Sequence, residues 1–461
     1  MRAKVSQRKR AHPVRGKGRA HLKHNNEGYE PSFSLIRADS RHNYERKFAV
    51  DTKELPVHPS LEQYKKQAKD LLKSAKSGHP QALHQALQRI KKDHPRSGKL
   101  ADLDLSGTKL ALADAQLVIA REHGFESWPK FATHIQGLTR ESSPISRFES
   151  ATDAVVTGDV AKLNQLLRED PELVRERSTR LHHATLLHYV GANGVENYRQ
   201  KTPKNAVQVA EILLRAGADV HAAADIYGGT DTLGLAATSV FPFLAGVQDA
   251  LIDILLEYGA NRHVEGLVNG CLRSGRGQAA VHLAKRGAPL DLEGAAGMGR
   301  LDLVKTFFNE DGSLKTKATH GQMECGFIWA CEYGRTNVVE FLLGMGLKVD
   351  AVPHGITGLH WAAYTARVDI VKLLLERKAP IELKDGRFRG TPLGWALYAW
   401  GDPPPEAEQS QYYDVVALLV AAGATVDSAW PADPRRRSLL IEKMGADPRM
   451  IAALKGEMPA Q

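Results

Sequence analysis

Cysteine is scarce: three thiols, Cys271, Cys325 and Cys331, in 461 residues. Three are too few for a disulfide framework, and an odd number fits a reducing compartment, so cytoplasmic residence is expected. Long apolar runs are missing as well. No stretch approaches the roughly 20 residues needed to cross a bilayer, so no membrane association is expected. The N-terminus lacks the apolar segment of a secretory signal. Catalytic signatures are also wanting: there is no phosphate loop, no G-x-S-x-G elbow and no H-E-x-x-H pair. Gly297-Met298-Gly299 is glycine-rich but follows no expected strand, which argues against dinucleotide binding. Neither enzymatic activity nor a cofactor is expected.

Acidic residues are missing from one segment. Residues 1–23 hold nine cations (Arg2, Lys4, Arg8, Lys9, Arg10, Arg15, Lys17, Arg19 and Lys23) and no acid. Taking those nine from the 62 basic residues leaves 53, equal to the 53 acidic ones, so the +9 net charge belongs to this arm. Residues 1–55 show no helical or strand period, and Pro13, Gly16 and Gly18 break any helix, so a disordered basic arm is expected there. Such an arm neutralises phosphates and supports salt-sensitive nucleic-acid binding. A solvated tail is the plainer reading. A third reading starts translation at the Val50 codon, since Met1 is the only methionine before Met298.

What the chain does have is an ordinary apolar content of 43%, with 25% charged residues, and a recurring pattern. From Thr357 the sequence runs TGLHWAAYTARVDIVKLLLERKAP. A short apolar helix is expected over residues 359–364. A longer one follows over 368–376, with Ile370, Val371, Leu373, Leu374 and Leu375 on a wide apolar face, and Pro380 halts it. Thr391-Pro392-Leu393 opens the pattern again 34 residues after Thr357. Small Ala362 and Ala363 let neighbouring helices approach, and the leucines fill the gap to the next pair. One pair alone leaves that face wet, so a stack is required.

Thr357-Gly358-Leu359-His360-Trp361-Ala362-Ala363 and the helix after it resemble the ankyrin repeat, with its T-P-L-H-x-A-A opening and period of about 33 residues. By that resemblance about eight units cover residues 148–427. The fold expected is all-α: an ankyrin solenoid of helix-turn-helix and hairpin units. Residues 56–140 are read as a small helical leader, similar to one found ahead of ankyrin arrays in bacterial proteins. In it Phe125, Trp128 and Phe131 are expected to be core rather than a partner-binding edge. Residues 428–461 form a tail with a capping helix near Pro448. Inserts interrupt the units at 197–205, 240–246 and 402–411.

The resemblance gives Thr357, His360, Ala362, Ala363, His188, Thr391 and Pro392 structural roles, the histidines bonding to hairpin backbone. Gly394 stands where the eighth unit would carry that histidine, so one such bond is expected to be missing. It also implies a protein partner, unidentified, on the turn tips and first helices of a monomer. The candidate contacts are Tyr227, His263, His354, Arg387, Phe388 and Arg389, with Phe388 the preferred anchor because arginine and aromatics dominate binding hot spots. The alternative is a half-covered phenylalanine in a polar turn. Cys325, Cys331, His320 and His354 raise the question of zinc, against the plainer reading of small buried thiols.

Overall fold

The computed structural model describes residues 52–77, 79–93, 110–262, 264–404 and 407–458. The basic arm expected over residues 1–55 lies almost wholly outside them. Among the described residues four helices come first: α1 (Leu61–Ala75), α2 (Pro80–Asp93), α3 (Leu112–Glu122) and α4 (Trp128–Leu138). Ser60 caps α1 by accepting from the Gln63 amide. Their common core is Tyr64, Ala68, Leu71, Val118, Ile119, Phe125, Phe131 and Ile135, so Phe125 and Phe131 are interior residues, with Trp128 packed against them. Glu122 fastens this bundle by accepting from Arg89 (2.7 and 2.9 Å) and Lys53 (2.9 Å).

Eight helix pairs follow. They are α5/α6 (Pro144–Thr157, Val160–Glu169), α7/α8 (Leu186–Val190, Ala206–Arg215), and α9/α11 (Thr232–Thr238, Gln248–Glu257), between which α10 (Val240–Leu244) intervenes. Next come α12/α13 (Leu267–Arg273, Gly277–Lys285), α14/α15 (Leu292–Gly297, Leu301–Lys305) and α16/α17 (His320–Glu332, Thr336–Gly344). The last are α18/α19 (Gly358–Tyr364, Val368–Glu376) and α20/α21 (Pro392–Gly401, Gln411–Ala421), before the terminal helices α22 (Pro434–Ala446) and α23 (Pro448–Ala453).

The first helices form one continuous row, each packed on the next from α5 to α20. The second helices pack in runs, α8–α11–α13 and α15–α17–α19–α21. Side chains explain the division. Every residue of α18 is buried, whereas α19 buries only Ile370, Val371, Leu373 and Leu374. The row of first helices is held by small groups at the contacts. A Cβ on Gly326 would lie 2.8 Å from Ala296 Cβ, and one on Gly358 would lie 2.7 Å from Cys331 Sγ.

Bonds to main-chain carbonyls tie the later units to those before them. Arg335 Nε donates to Gly297 O (3.2 Å), Arg367 Nε to Glu332 O (3.1 Å), Thr365 Oγ1 to Glu332 O (2.8 Å) and Tyr412 OH to Tyr364 O (2.7 Å). These carbonyls lie at or near first-helix C-termini, where no intrahelical donor remains. Gly297-Met298-Gly299 sits at one such corner. There a Cβ on Gly299 would meet Arg335 Cδ at 2.8 Å, so the glycines make room for a neighbour's side chain.

Candidate functional site

The turn tips are built by backbone bonding. Asp385 is buried, and its carboxylate accepts four bonds. Oδ1 takes the amides of Arg387 (2.9 Å) and Phe388 (2.6 Å), and Oδ2 takes the Gly390 amide (2.7 Å) and Trp395 Nε1 (3.1 Å). One side chain thereby fixes the whole tip, residues 386–390. Neighbouring tips are tied laterally: the Gly386 amide donates to Gly355 O (3.0 Å), and Lys384 pairs with Asp427 (2.7 Å).

On this frame Arg389 is exposed and Arg387 lies over the Phe388 ring at 5.0 Å. Partial burial pushes the Arg387 guanidinium down to about 10. Phe388 is half-buried, its ring edge-on to Trp395 at 6.1 Å, and its carbonyl accepts from Trp430 Nε1 (2.8 Å). His354 is exposed at positive φ, with Nε2 3.6 Å from Cys325 Sγ. Tyr227, also at positive φ, donates through its hydroxyl to Asn193 Oδ1 (2.8 Å). The structure therefore brings His354, Arg387, Phe388 and Arg389 onto adjacent tips, with Tyr227 on a separate, earlier one. His263 lies outside the described residues.

The repeat-motif residues are interior. Thr357 Oγ1 and His360 Nδ1 are 2.7 Å apart, and His360 Nε2 donates to Gly390 O (3.2 Å), binding the first helix to the next hairpin. Burial pushes His360 down to about 4, so it is neutral there. His188 Nδ1 accepts from the Thr185 amide (3.1 Å), and burial likewise lowers its pKa to about 4. Ala362, Ala363, Thr391 and Pro392 are buried. At the eighth unit Trp430 fills the space beside Gly394. A Cβ on Gly394 would lie 3.1 Å from the indole, whose Nε1 supplies the bond to the Phe388 carbonyl.

Cys331 is fully buried, and Cys325 meets His354. Among the described residues no group of three or more His, Cys, Asp or Glu side chains is placed to hold a metal ion.

Residues 292–385 match the family model for ankyrin repeats, in three copies. The units within residues 292–385 are ankyrin repeats. A curated relative, the palmitoyltransferase Hip14 of Drosophila melanogaster, is 33% identical over 109 residues, which is 23% of this chain and 14% of that protein. The match thus spans about a seventh of the relative's length. Among solved structures, the ankyrin repeat domain of human ASB11 is similar over 60% of this chain and 99% of its own, at 19% identity and a TM-score of 0.31.

Sequence reasoning missed one cluster entirely. Arg180, Glu149, Glu196 and Arg199 are all buried where the leader, the first pair and the 197–205 insert meet. Arg180 bonds Glu149 (2.5 Å) and Glu196 (2.8 Å), and Arg199 bonds Glu149 (2.7 Å) and Asp153 (2.7 Å). The Arg180 guanidinium lies 5.5 Å from the Phe125 ring of the leader, and the Leu181 amide donates to Gly124 O (2.8 Å). Burial alone would raise the Glu149 pKa, but Arg180 and Arg199 reverse this and hold it near 2. Glu149 sits on the apolar face of α5, between Phe148 and Thr152, which is the one signal that could have flagged it.

Proposed function

We propose that the chain is a non-enzymatic scaffold that binds a protein partner across the hairpin tips. The observation that carries this reading is the Asp385-fixed tip: its carboxylate holds the amides of Arg387, Phe388 and Gly390, while Arg389 is exposed and Arg387 and Phe388 are half-exposed beside it. A pre-ordered surface bearing arginine and an aromatic loses little entropy on association. The ankyrin identity of residues 292–385 supports the same reading, and three free thiols fit a reducing, cytoplasmic setting.

The test is site-specific photocrosslinking in native lysate. A crosslinker at Arg389 should capture a discrete protein band, and one at Lys372 on a second helix should not. Substituting Phe388→Ala and Arg387→Ala should cut capture at Arg389 by about tenfold, the effect of losing one hot-spot contact. Equal capture from both faces overturns the reading. The nucleic-acid alternative rests on the nine cations of residues 1–23. It requires DNA affinity that falls steeply with salt and disappears when that segment is deleted.

A further inference from the structure

Trp430 joins the tip at residues 386–390 to a second basic segment. Its Nε1 holds the Phe388 carbonyl, and its ring lies against Gly390 and Gly394, where an added Cβ would stand 2.9 and 3.1 Å away. Arginines flank it. Arg437 Nη1 donates to the carbonyls on either side, Ala429 O (2.8 Å) and Pro431 O (3.2 Å). Arg436 donates to Tyr398 OH (2.6 Å), whose ring is edge-on to Trp430 at 5.9 Å. The carbonyl that Trp430 holds belongs to the residue between two more arginines, Arg387 and Arg389.

The local charge is unbalanced. Residues 382–390 and 426–437 hold six cations against four acids. All four acids are committed. Asp385 holds the tip, and Asp427 pairs with Lys384. Glu382 accepts from the Thr425 amide (2.6 Å) and hydroxyl (3.1 Å). Asp433 accepts from the Arg435 and Arg436 amides (2.8 and 3.2 Å) at the start of α22. Among the described residues no carboxylate pairs with Arg389, Arg436 or Arg437. A guanidinium matches a carboxylate fork to fork, so these three are complementary to an acidic side chain.

An apolar cleft lies in the same place. It encloses about 30 Å³ between α22 and the eighth unit, lined by Leu397, Val426, Trp430, Leu440, Ile441 and Met444, with Arg437 and Asp427 in its wall. Val426 is 48% exposed there and Ile441 54%. Such a cleft gives a nucleobase or a phosphate nothing to bond, but it takes an aliphatic group. The arginines suit an anion and the cleft suits a hydrocarbon, and a protein segment supplies both. One short segment reaches both, because Trp430 belongs to the cleft and is bonded to the tip.

We infer that the partner of the tips presents an acidic segment, whose carboxylates pair with Arg389, Arg436 and Arg437 and whose neighbouring aliphatic side chain enters the cleft between Trp430 and α22. This rests on the protein-binding reading of the tips and names the chemistry of what binds there.

The test is photocrosslinking in native lysate from a probe at Val426, read by mass spectrometry of the crosslinked peptide. It should capture the same protein as the probe at Arg389, through a segment in which Asp and Glu outnumber Lys and Arg. Raising salt from about 0.1 to about 0.5 M should lower capture severalfold. Arg389→Glu with Arg436→Glu should lower it about tenfold, whereas Arg389→Lys with Arg436→Lys should keep most of it. Both side chains are exposed, so circular dichroism should stay unchanged. A neutral or basic crosslinked segment overturns this inference and leaves the scaffold reading standing, as does capture at Arg389 without capture at Val426. Loss of capture on phosphatase treatment of the lysate does the same, since it puts phosphate in place of carboxylate. Capture of nucleic acid instead of a peptide, or of nothing at either site, overturns both.

Discussion

Asp385 and Glu149 show two ways a buried carboxylate is kept. Asp385 is held by neutral donors, all four within a single turn and the helix after it. Asp385→Ala leaves those four donors without their acceptor, and should cost about 2–4 kcal/mol in urea unfolding. Glu149 is held by two arginines from separate segments. Removing one partner of a buried ion pair strands the other, so Glu149→Ala should cost about 3–5 kcal/mol, although the intact cluster adds little net stability over an apolar one. Acid should act in two stages. Neutral, buried His134, His188 and His360 have folded pKa values lowered to about 4. Their stabilisation is complete above the ordinary histidine range and is lost as pH falls through it toward 4. Glu149, lowered to about 2, contributes above the ordinary carboxylate range and loses that contribution as pH falls toward 2. Urea midpoints measured from pH 7 to 2.5 should show both declines, and Glu149→Gln should reduce the second, which Glu196 and Glu122 share because, burial notwithstanding, arginines hold their carboxyls low as well.

At the scale of elements, the repeat shares its bonds across units. The hairpin after α19 receives His360 from its own unit's first helix, and its Phe388 carbonyl receives Trp430 from beyond the stack. Trp430 thus gives that hairpin a second side-chain donor beside His360, and fills the space beside Gly394. Trp430→Ala should leave the Phe388 carbonyl unpaired and a space above Gly394. It should cost about 2 kcal/mol and raise hydrogen exchange mainly in residues 427–446. Much of this level was legible. The Thr357–Ala363 opening and the leucines of α19 fixed helix, turn and helix, because a 3.6-residue period leaves one solution for where the apolar side goes. Trp430 was not legible, because its contacts lie about 40 residues away and no local pattern marks them.

Across the molecule, the leader and the array share a buried boundary. Arg180 touches Phe125 on one side and Glu149 and Glu196 on the other. Removing residues 52–138 should expose that cluster and loosen the nearest units most. Hydrogen exchange should rise over residues 148–205 and change little beyond residue 292, since a stack passes stability mainly between neighbours. Protection lost evenly along the chain would show instead that leader and array unfold as one unit.

The sequence by itself determined the helix pairs and their period, because those follow from spacing along a single chain, and the resemblance to the ankyrin repeat implied the interior place of His188 and His360. Only the tertiary structure decided that four charges from three separate segments meet between the leader and the first pair, that Phe388 leans on Trp395, and that Leu439 of α22 is left mostly in water. Each depends on which distant surfaces meet, and the free energy of a buried charge or an uncovered apolar side chain is set by that meeting.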